Sequence, residues 1–267
     1  MNWRVKGIVQ KVLSATPGGV QVNDWLQRTA GGLRNFDDHI AGKLEDYRII
    51  VSHMEEAGVP VKGARCMEIG TGWIPVLPVC LLRDGAAQCI TLDLNRHLDE
   101  KLTRRFAGNN EALAIDYRAP ADATATGLPD NSVDVVFSNS VLEHVPREII
   151  LRMMQETRRI LRPGGIAVHS VGCNDHYRHF DKTISPVNYL RYSDRQWRLW
   201  NNDLQYQNRL RPQDFLEIVR QAGLEIVMKK SNSIPEAIKD LPIADEFRRY
   251  SPEQLAAVSL DFVARKS

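Results

Sequence analysis

Short apolar strands alternate with amphipathic helices between Arg65 and Val171, and this alternation predicts an α/β fold. Residues 65–69 have the pattern of a short apolar strand, and residues 133–138 that of a stronger one. The amphipathic helix predicted at 147–161 is stopped by a Pro-Gly-Gly sequence. We therefore predict a doubly wound, mostly parallel sheet with helices on both faces, an N-terminal helical extension, and an insertion after the fifth strand.

Each predicted element follows from the same patterns, taken in chain order. The predicted strands are 65–69, 89–92, 112–117, 133–138, 166–171 and 224–229, with a final edge strand at 258–264. The predicted helices are 75–82, 95–108, 147–161, 212–222 and 252–257. Right-handed crossovers place the strand carboxyl ends along one edge, where such sheets bind ligands.

Two regions depart from this alternation. Residues 1–60 differ from the rest of the chain: the segment 24–58 carries apolar side chains at helical spacing, including Leu26 and Leu33, and the glycine pairs at 18–19 and 31–32 are predicted joints. We interpret them as a helical extension that forms a lid or a homodimer surface, beside one domain spanning 61–267. Residues 172–210 are rich in His, Tyr, Trp, Asn and Arg, which predicts a functional insertion on the substrate side.

The composition argues against several classes of protein. The net charge of +2, from 35 basic and 33 acidic residues, gives no argument for a nucleic-acid partner. The four cysteines form no CxxC pair and no zinc-like spacing, so we predict no metal site and free, mostly buried thiols. The first 20 residues lack a signal peptide's apolar stretch, and the nearly apolar run 74–82 is too short for a membrane span. We expect a cytoplasmic protein without integral membrane contact.

The first candidate ligand-binding loop directly follows the strand 65–69 and reads Glu68-Ile69-Gly70-Thr71-Gly72. Glycines let the backbone turn tightly and approach a ligand, and a loop entering a helix points N–H groups at it. A GxG sequence alone is equally consistent with a plain tight turn.

Two acidic positions extend the pattern. Asp93-Leu94 ends the second strand, where a carboxylate accepts two hydrogen bonds from a ribose diol or caps the next helix. Asp122-Ala123 places a carboxylate beside a backbone N–H, an arrangement that suits the amino edge of adenine, although it is also an ordinary turn.

The strings LPDNSVDVVFSNSVLEHV and RRILRPGGIAV complete the order of motifs. Together these residues resemble the class I S-adenosylmethionine-dependent methyltransferases, most closely methyltransferase type 11, over roughly 65–171, with a Rossmann-like fold. The resemblance implies S-adenosyl-L-methionine as cofactor and assigns roles by position. Glu68, Gly70 and Gly72 would lie at the amino-acid end of the cofactor, Asp93 at the ribose, Asp122 and Ala123 at adenine, and Ser138 and Asn139 beneath the methyl group.

Trp73 stands where many relatives of this family have a small residue or glycine. It either shapes the pocket or packs against the following helix, and packing is slightly favoured. The third glycine of a dinucleotide-binding GxGxxG is absent, which disfavours a nucleotide-dependent oxidoreductase.

Candidate general bases cluster after the strand 166–171, in the sequence Asp-His-Tyr-Arg-His-Phe-Asp that begins at residue 175. His176, His179 and Asp181 are the candidates, and His144 is their rival; a histidine suits proton transfer near neutral pH. Alternatively, the insertion is a polar loop held by its own hydrogen bonds, its aromatic residues forming a small core, and His144 a structural residue at a helix start.

The acceptor is less determined than the cofactor. The segment 176–193 resembles that of methyltransferases of bacterial surface polysaccharide and related small-molecule pathways, so we expect O-methylation of a small-molecule or carbohydrate-like acceptor. The alternatives are an RNA or protein methyltransferase, or a catalytically inactive cofactor-binding partner subunit. The sequence does not distinguish oxygen, nitrogen and carbon methylation.

Overall fold

The computed structural model describes residues 2–19, 22, 35–108 and 115–267, and its centre is one seven-stranded sheet. The strands are β1 Arg65–Ile69, β2 Gln88–Leu92, β3 Ile115–Arg118, β4 Val133–Asn139, β5 Leu161–Gly172, β6 Glu225–Ser233 and β7 Ala257–Arg265. Their order is β3-β2-β1-β4-β5-β7-β6. The first five strands are parallel, and β7 runs antiparallel to both β5 and β6. The predicted mostly parallel sheet is confirmed.

Helices cover both faces of the sheet, as the alternation predicts. The α-helices of the described residues are α1 Trp3–Ser14, α2 Phe36–Glu56, α3 Val76–Arg83, α4 Glu100–Ala107, α5 Arg147–Ile160, α6 Asp194–Trp197, α7 Pro212–Gln221 and α8 Pro252–Ala256. Short 3-10 helices lie at Leu142–His144, His176–His179, Asn188–Arg191, Pro235–Ile238 and Asp245–Phe247. Among these described helices, none combines the length and apolarity that crossing a membrane requires.

Successive strand residues point to opposite faces and so build two apolar cores. Val135 and Phe137 of β4 pack with Ile50 of α2 on one face. Val136, between them, packs with Met154 of α5 on the other face. Each fully buried side chain of this kind contributes about 1.5–3 kcal/mol, and α2 is therefore part of the sheet's packing rather than a detached arm.

Several predicted boundaries change in the structure. The helix predicted at 95–108 begins only at Glu100, because Asp99 caps it by accepting hydrogen bonds from the Lys101 and Leu102 N–H groups at 3.0 and 3.1 Å. The strand predicted as 166–171 already begins at Leu161, across the Pro-Gly-Gly sequence.

The final strand is not an edge strand, so this prediction was wrong. β7 lies between β5 and β6, and β6 forms the edge. Strand order depends on pairing between distant segments, which no local pattern encodes. The predicted joint at 31–32, Leu26, Leu33 and the first residues of the strand predicted at 112–117 lie outside the described residues.

The insertion builds a core of its own from aromatic side chains. Tyr177, Tyr189 and Trp197 are buried there, and Trp3 of α1 packs against them, its ring 5.2 Å from that of Tyr177. Arg211 is fully buried and donates to the carbonyls of Cys173, Gln254, Leu255 and Ala257. The aromatic residues of the insertion therefore form the small core that was one of the two interpretations of the sequence.

Candidate active site

The loop between β1 and α3 has the geometry that its glycines predict. Gly70 and Gly72 have φ angles of 82° and 71°, a region that favours glycine. A Cβ atom at Gly70 would collide with the Val141 side chain, whereas the position over Gly72 is open. The Gly70 N–H donates to the Leu92 carbonyl at 2.8 Å, which holds the loop against the end of β2.

Asp93 links this loop to the ends of β2 and β3. Its carboxylate accepts from the Gly72 N–H and from the Tyr117 hydroxyl, both at 3.2 Å. Burial raises the pKa of Asp93, and these hydrogen bonds oppose that rise. Thr71 and Thr91 share a buried 2.6 Å hydrogen bond beside it. Each carboxylate oxygen retains a further lone pair that can accept from a ligand.

Glu68, at the end of β1, is a buried carboxylate with an unsatisfied oxygen. Its residue is 5% exposed, and Oε2 has no hydrogen-bond partner among the described residues. Burial raises the pKa of Glu68 to about 8, and the positive charge of Lys43 opposes the rise. A buried acid without a partner is costly to the fold and fits the positively charged end of a ligand.

Lys43 reaches the same edge from α2 and was missed by the sequence patterns. Its ammonium donates to Asp46 at 3.0 Å and to the Asn139 side-chain oxygen at 3.3 Å. No local signal identifies it, because the position of α2 over the strand ends is set by packing. Tyr117 was also missed, although its place on β3, opposite Thr91, puts it next to Asp93.

The remaining predicted cofactor residues lie around the cluster of Glu68, Asp93 and Lys43 rather than within it. Ser138 is fully buried, and its hydroxyl lies 2.7 Å from His169 Nδ1. Burial lowers the pKa of His169 to about 3, so this imidazole is neutral. Leu94 is 71% exposed. Asp122 is exposed and accepts from the Thr124 N–H at 2.8 Å, as in an ordinary turn, beside the half-buried Ala123.

The structure brings the three candidate histidines together at the ends of β4 and β5. The ring centroids of His144 and His176 are 4.8 Å apart, and those of His176 and His179 are 5.7 Å apart. Partial desolvation lowers the pKa of all three, that of His176 to about 3. The imidazoles are therefore neutral at pH 7 and keep a lone pair.

Asp181, the fourth candidate, has a structural role. It accepts from the Trp3 N–H at the start of α1 and from the Thr183 N–H, both at 3.2 Å. Trp73, by contrast, packs against the core beneath α2 and α3, with its ring 5.8 Å from that of His97. The interpretation of Trp73 as a packing residue is supported.

Glu143 was not among the sequence candidates. It lies in the short helix after β4, is 2% exposed, and accepts from the Gly172 N–H at 3.0 Å. Burial raises its pKa to about 7. A Glu-His sequence is also compatible with a purely structural helix start. The sequence alone therefore does not identify Glu143 as a site residue.

Comparison with known proteins agrees with this geometry. Residues 67–169 match the family model described as a methyltransferase domain, type 11. An uncharacterised methyltransferase of Mycobacteroides abscessus is 30% identical over 113 residues, which span 42% of this chain and 41% of that protein. Residues 67–169 therefore form a methyltransferase domain of the class I S-adenosylmethionine-dependent type. The resemblance stated from the motifs is thereby confirmed.

Solved structures share the fold of this methyltransferase domain. The magnesium protoporphyrin IX methyltransferase of Synechocystis PCC 6803, with S-adenosylhomocysteine bound, has a TM-score of 0.55 at 16% identity, covering 92% of this chain and 94% of that one. An S-adenosylmethionine-dependent methyltransferase of Mesorhizobium loti has a TM-score of 0.50 at 19% identity, covering 79% and 95%.

The residues of this chain fit the cofactor of the methyltransferase domain. S-adenosylmethionine carries an ammonium group, a sulfonium and a ribose diol. The unsatisfied carboxylate of Glu68 suits a positive charge, Asp93 suits a diol, and the open position over Gly72 lets a ligand approach the backbone.

Proposed function

We propose that this protein transfers the methyl group of S-adenosylmethionine to a hydroxyl oxygen of a small-molecule or carbohydrate-like acceptor. One observation carries the proposal: a carboxylate-lined loop after β1 and a group of neutral imidazoles after β4 and β5 share the carboxyl edge of one sheet. The first suits the methyl donor, and the second suits a group that must lose a proton.

At the donor end, we propose that Glu68 takes the ammonium group and Asp93 the ribose diol. Gly70, Thr71 and Gly72 would follow the cofactor along the loop. When bound, S-adenosylmethionine supplies a methyl group on a positively charged sulfur that leaves readily. The protein's own contribution is to align the acceptor with that methyl group and to exclude water.

The other predicted cofactor residues would act at the borders of the pocket. We propose that Leu94, Asp122 and Ala123 flank the adenine, and that Asn139 faces the transferred methyl group. Ser138 would support Asn139 from below, since its hydroxyl is held by His169 within the sheet.

At the acceptor end, we propose that His144 and His176 assist removal of the hydroxyl proton, with His179 nearby. Their neutral rings can accept a hydrogen bond from the acceptor. The low pKa of His176 makes it a weak base by itself. Asp181 is the weakest of the four candidates, because both of its oxygens already accept hydrogen bonds.

The proposal is tested first by calorimetry and then by an acceptor screen. We expect S-adenosylhomocysteine to bind, NAD not to bind, and radiolabelled methyl groups to pass to hydroxylated sugars or small phenols. Transfer only to RNA or protein would contradict the acceptor class. Tight binding of S-adenosylhomocysteine without transfer to any substrate would favour a catalytically inactive binding subunit.

We also propose that the protein acts in the cytoplasm, as its cysteine usage predicts. All four cysteines are free and buried, as expected of small apolar residues in a reducing compartment.

A homodimer through the N-terminal helices is the remaining part of the proposal. Val5, Ile8, Val9 and Val12 lie exposed at helical spacing on one face of α1, which supports an interface there. Light scattering at micromolar concentration tests it: a monomer would contradict the dimer without affecting the proposed activity.

A further inference from the structure

Three side chains in the candidate active site bring metal-ligand atoms together. One ligand atom each from Glu143, His144 and His176 lies within 4.8 Å of the other two. More than thirty residues separate His176 from the other two along the chain. This separation explains why no metal-like spacing is visible in the sequence.

Glu143 supplies the second, independent observation. Its side chain is almost fully buried, Oε1 accepts from the Gly172 N–H, and Oε2 has no partner among the described residues. Leaving a buried carboxylate oxygen unsatisfied is costly to the folded state. A cation bound to that oxygen would remove the cost. Lys43 is close enough to lower the pKa of Glu143, but it hydrogen-bonds to Asp46 and Asn139 instead.

His144 is held in the tautomer that a metal requires. Its Nδ1 lies 2.7 Å from the Tyr206 carbonyl oxygen, which can only accept, so Nδ1 carries the hydrogen. Nε2 consequently keeps its lone pair. An imidazole whose second nitrogen donates to a carbonyl is the usual arrangement of a metal-binding histidine.

His176 completes the group from the insertion. Asp175 caps the turn that begins at His176, accepting from the Tyr177 N–H at 2.9 Å, and this fixes the backbone of the turn. Ligand atoms about 2.0–2.2 Å from one ion lie about 3–4 Å from each other. The observed separations of up to 4.8 Å would therefore have to contract on binding, and a rotation of the partly exposed His176 ring would allow this.

We propose that Glu143, His144 and His176 bind a divalent transition-metal ion, with Zn²⁺ the ion to test first. Two imidazoles and one carboxylate are a common ligand set of catalytic zinc and leave a coordination position open. Mg²⁺ and Ca²⁺ prefer oxygen ligands and are disfavoured. The exposed ring of His144 gives an ion access to the site.

A role for this ion in acceptor activation rests on the proposed methyl transfer. With the ion bound, His144 and His176 would use their lone pairs as metal ligands. The acceptor hydroxyl would then bind at the open position, in place of its hydrogen bond to the imidazoles, and its pKa would be lowered. The new oxygen–carbon bond would form as the carbon–sulfur bond breaks, with that electron pair passing to sulfur and the proton to water.

The test is metal binding by the full chain after treatment with a chelator. We expect calorimetry to show one Zn²⁺ per chain, and Co²⁺ to give a visible absorption band with nitrogen and oxygen ligands. His144→Ala and His176→Ala should each weaken binding at least about tenfold. The neighbouring His179→Ala is the matched control and should bind normally, with circular dichroism confirming that each variant folds.

Failure of the chelator-treated wild-type chain to bind Zn²⁺ or Co²⁺ at micromolar concentration would overturn the metal site, and so would equal binding by all three variants. Because the first of these measurements uses the unsubstituted chain, it holds even where a variant does not fold. Binding of S-adenosylhomocysteine is measured in parallel. A chain that binds S-adenosylhomocysteine but no metal contradicts only the metal site. A chain that binds metal but not S-adenosylhomocysteine contradicts only the proposed function.

Discussion

The buried carboxylates at the carboxyl edge of the sheet differ from those in the helix layer beside it. In the helix layer, Glu156 of α5 accepts four hydrogen bonds, from the Thr126 N–H and hydroxyl and twice from Arg159. Asp214 of α7 accepts from the Arg211 N–H at 2.8 Å and from the Tyr250 hydroxyl at 2.7 Å. At the sheet edge, Glu68 and Glu143 each keep an oxygen with no partner among the described residues.

This difference separates carboxylates that stabilise the fold from those available to a ligand. The hydrogen bonds to Arg159 and Thr126 hold the pKa of Glu156 down at about 2, whereas burial raises that of Glu68 to about 8 and that of Glu143 to about 7. A buried carboxylate whose hydrogen bonds are all made stabilises the folded state. One that lacks a partner destabilises the folded state and is available to a ligand. Three experiments test the distinction, and a fourth tests the aromatic core of the insertion.

The largest effect is expected on ligand affinity at Asp93. Asp93→Ala removes a charged acceptor for a ribose diol, and two such hydrogen bonds at about 1.5–3 kcal/mol each predict a loss of at least about a hundredfold. Calorimetric titration with S-adenosylhomocysteine measures it. Asp116→Ala on the neighbouring strand is the matched control, since Asp116 pairs only with the partly exposed Arg118 in the described structure. Equal affinity in the two variants would remove the ribose assignment.

Glu68→Gln is expected to stabilise the free protein at high pH. The folded pKa of about 8 exceeds the unfolded value near 4.5, so the folded state binds the extra proton between these limits. Wild-type stability should therefore fall relative to Glu68→Gln as the pH rises from about 4.5 to 8, by on the order of 3 kcal/mol.

Urea unfolding at several pH values measures this difference, and the same variant should bind S-adenosylhomocysteine more weakly. A stability difference between Glu68→Gln and wild type that does not change with pH would show that Glu68 is satisfied in the free protein.

Glu156→Ala tests the opposite case. It leaves Thr126 and Arg159 without their acceptor and should lower the free energy of unfolding by about 2 kcal/mol, less than for a fully buried ion pair because Arg159 is partly exposed. Since its folded pKa is depressed, the contribution of Glu156 is present above about pH 4.5 and lost as the pH falls towards 2.

Glu100→Ala is the control for this prediction, because its ion pair with Arg104 is exposed and should matter by less than about 0.5 kcal/mol. Comparable losses of stability in Glu156→Ala and Glu100→Ala would contradict the structural role of Glu156.

The smallest effect is expected in the core of the insertion. The Tyr189 hydroxyl donates to the Cys173 carbonyl at 2.6 Å and accepts from Arg211 at 2.5 Å. Tyr189→Phe should cost about 1–2 kcal/mol, because Arg211 keeps its other acceptors. Tyr192→Phe serves as a control in the same cluster. Thermal unfolding of the two variants measures their stability. A Tyr189→Phe variant as stable as the wild type would mean that the insertion core does not depend on this hydrogen bond.

Much of the fold could be predicted from local patterns. The strands β1, β2 and β4 and the helices α3, α5 and α7 lie close to where periodicity and stop signals placed them, since burial on a sheet imposes those periods. The glycines after β1 and Asp93 after β2 were found because their conformational and chemical demands are local.

The sequence by itself determined the alternating fold and the loop after β1, and through the motif order it led to the methyl donor. Only the tertiary structure decided the place of β7 inside the sheet, the reach of Lys43 to Asn139, and the convergence of Glu143 and His144 with His176. The physical reason is that these depend on contacts between segments far apart in the chain, and a local pattern reports only what neighbouring residues require.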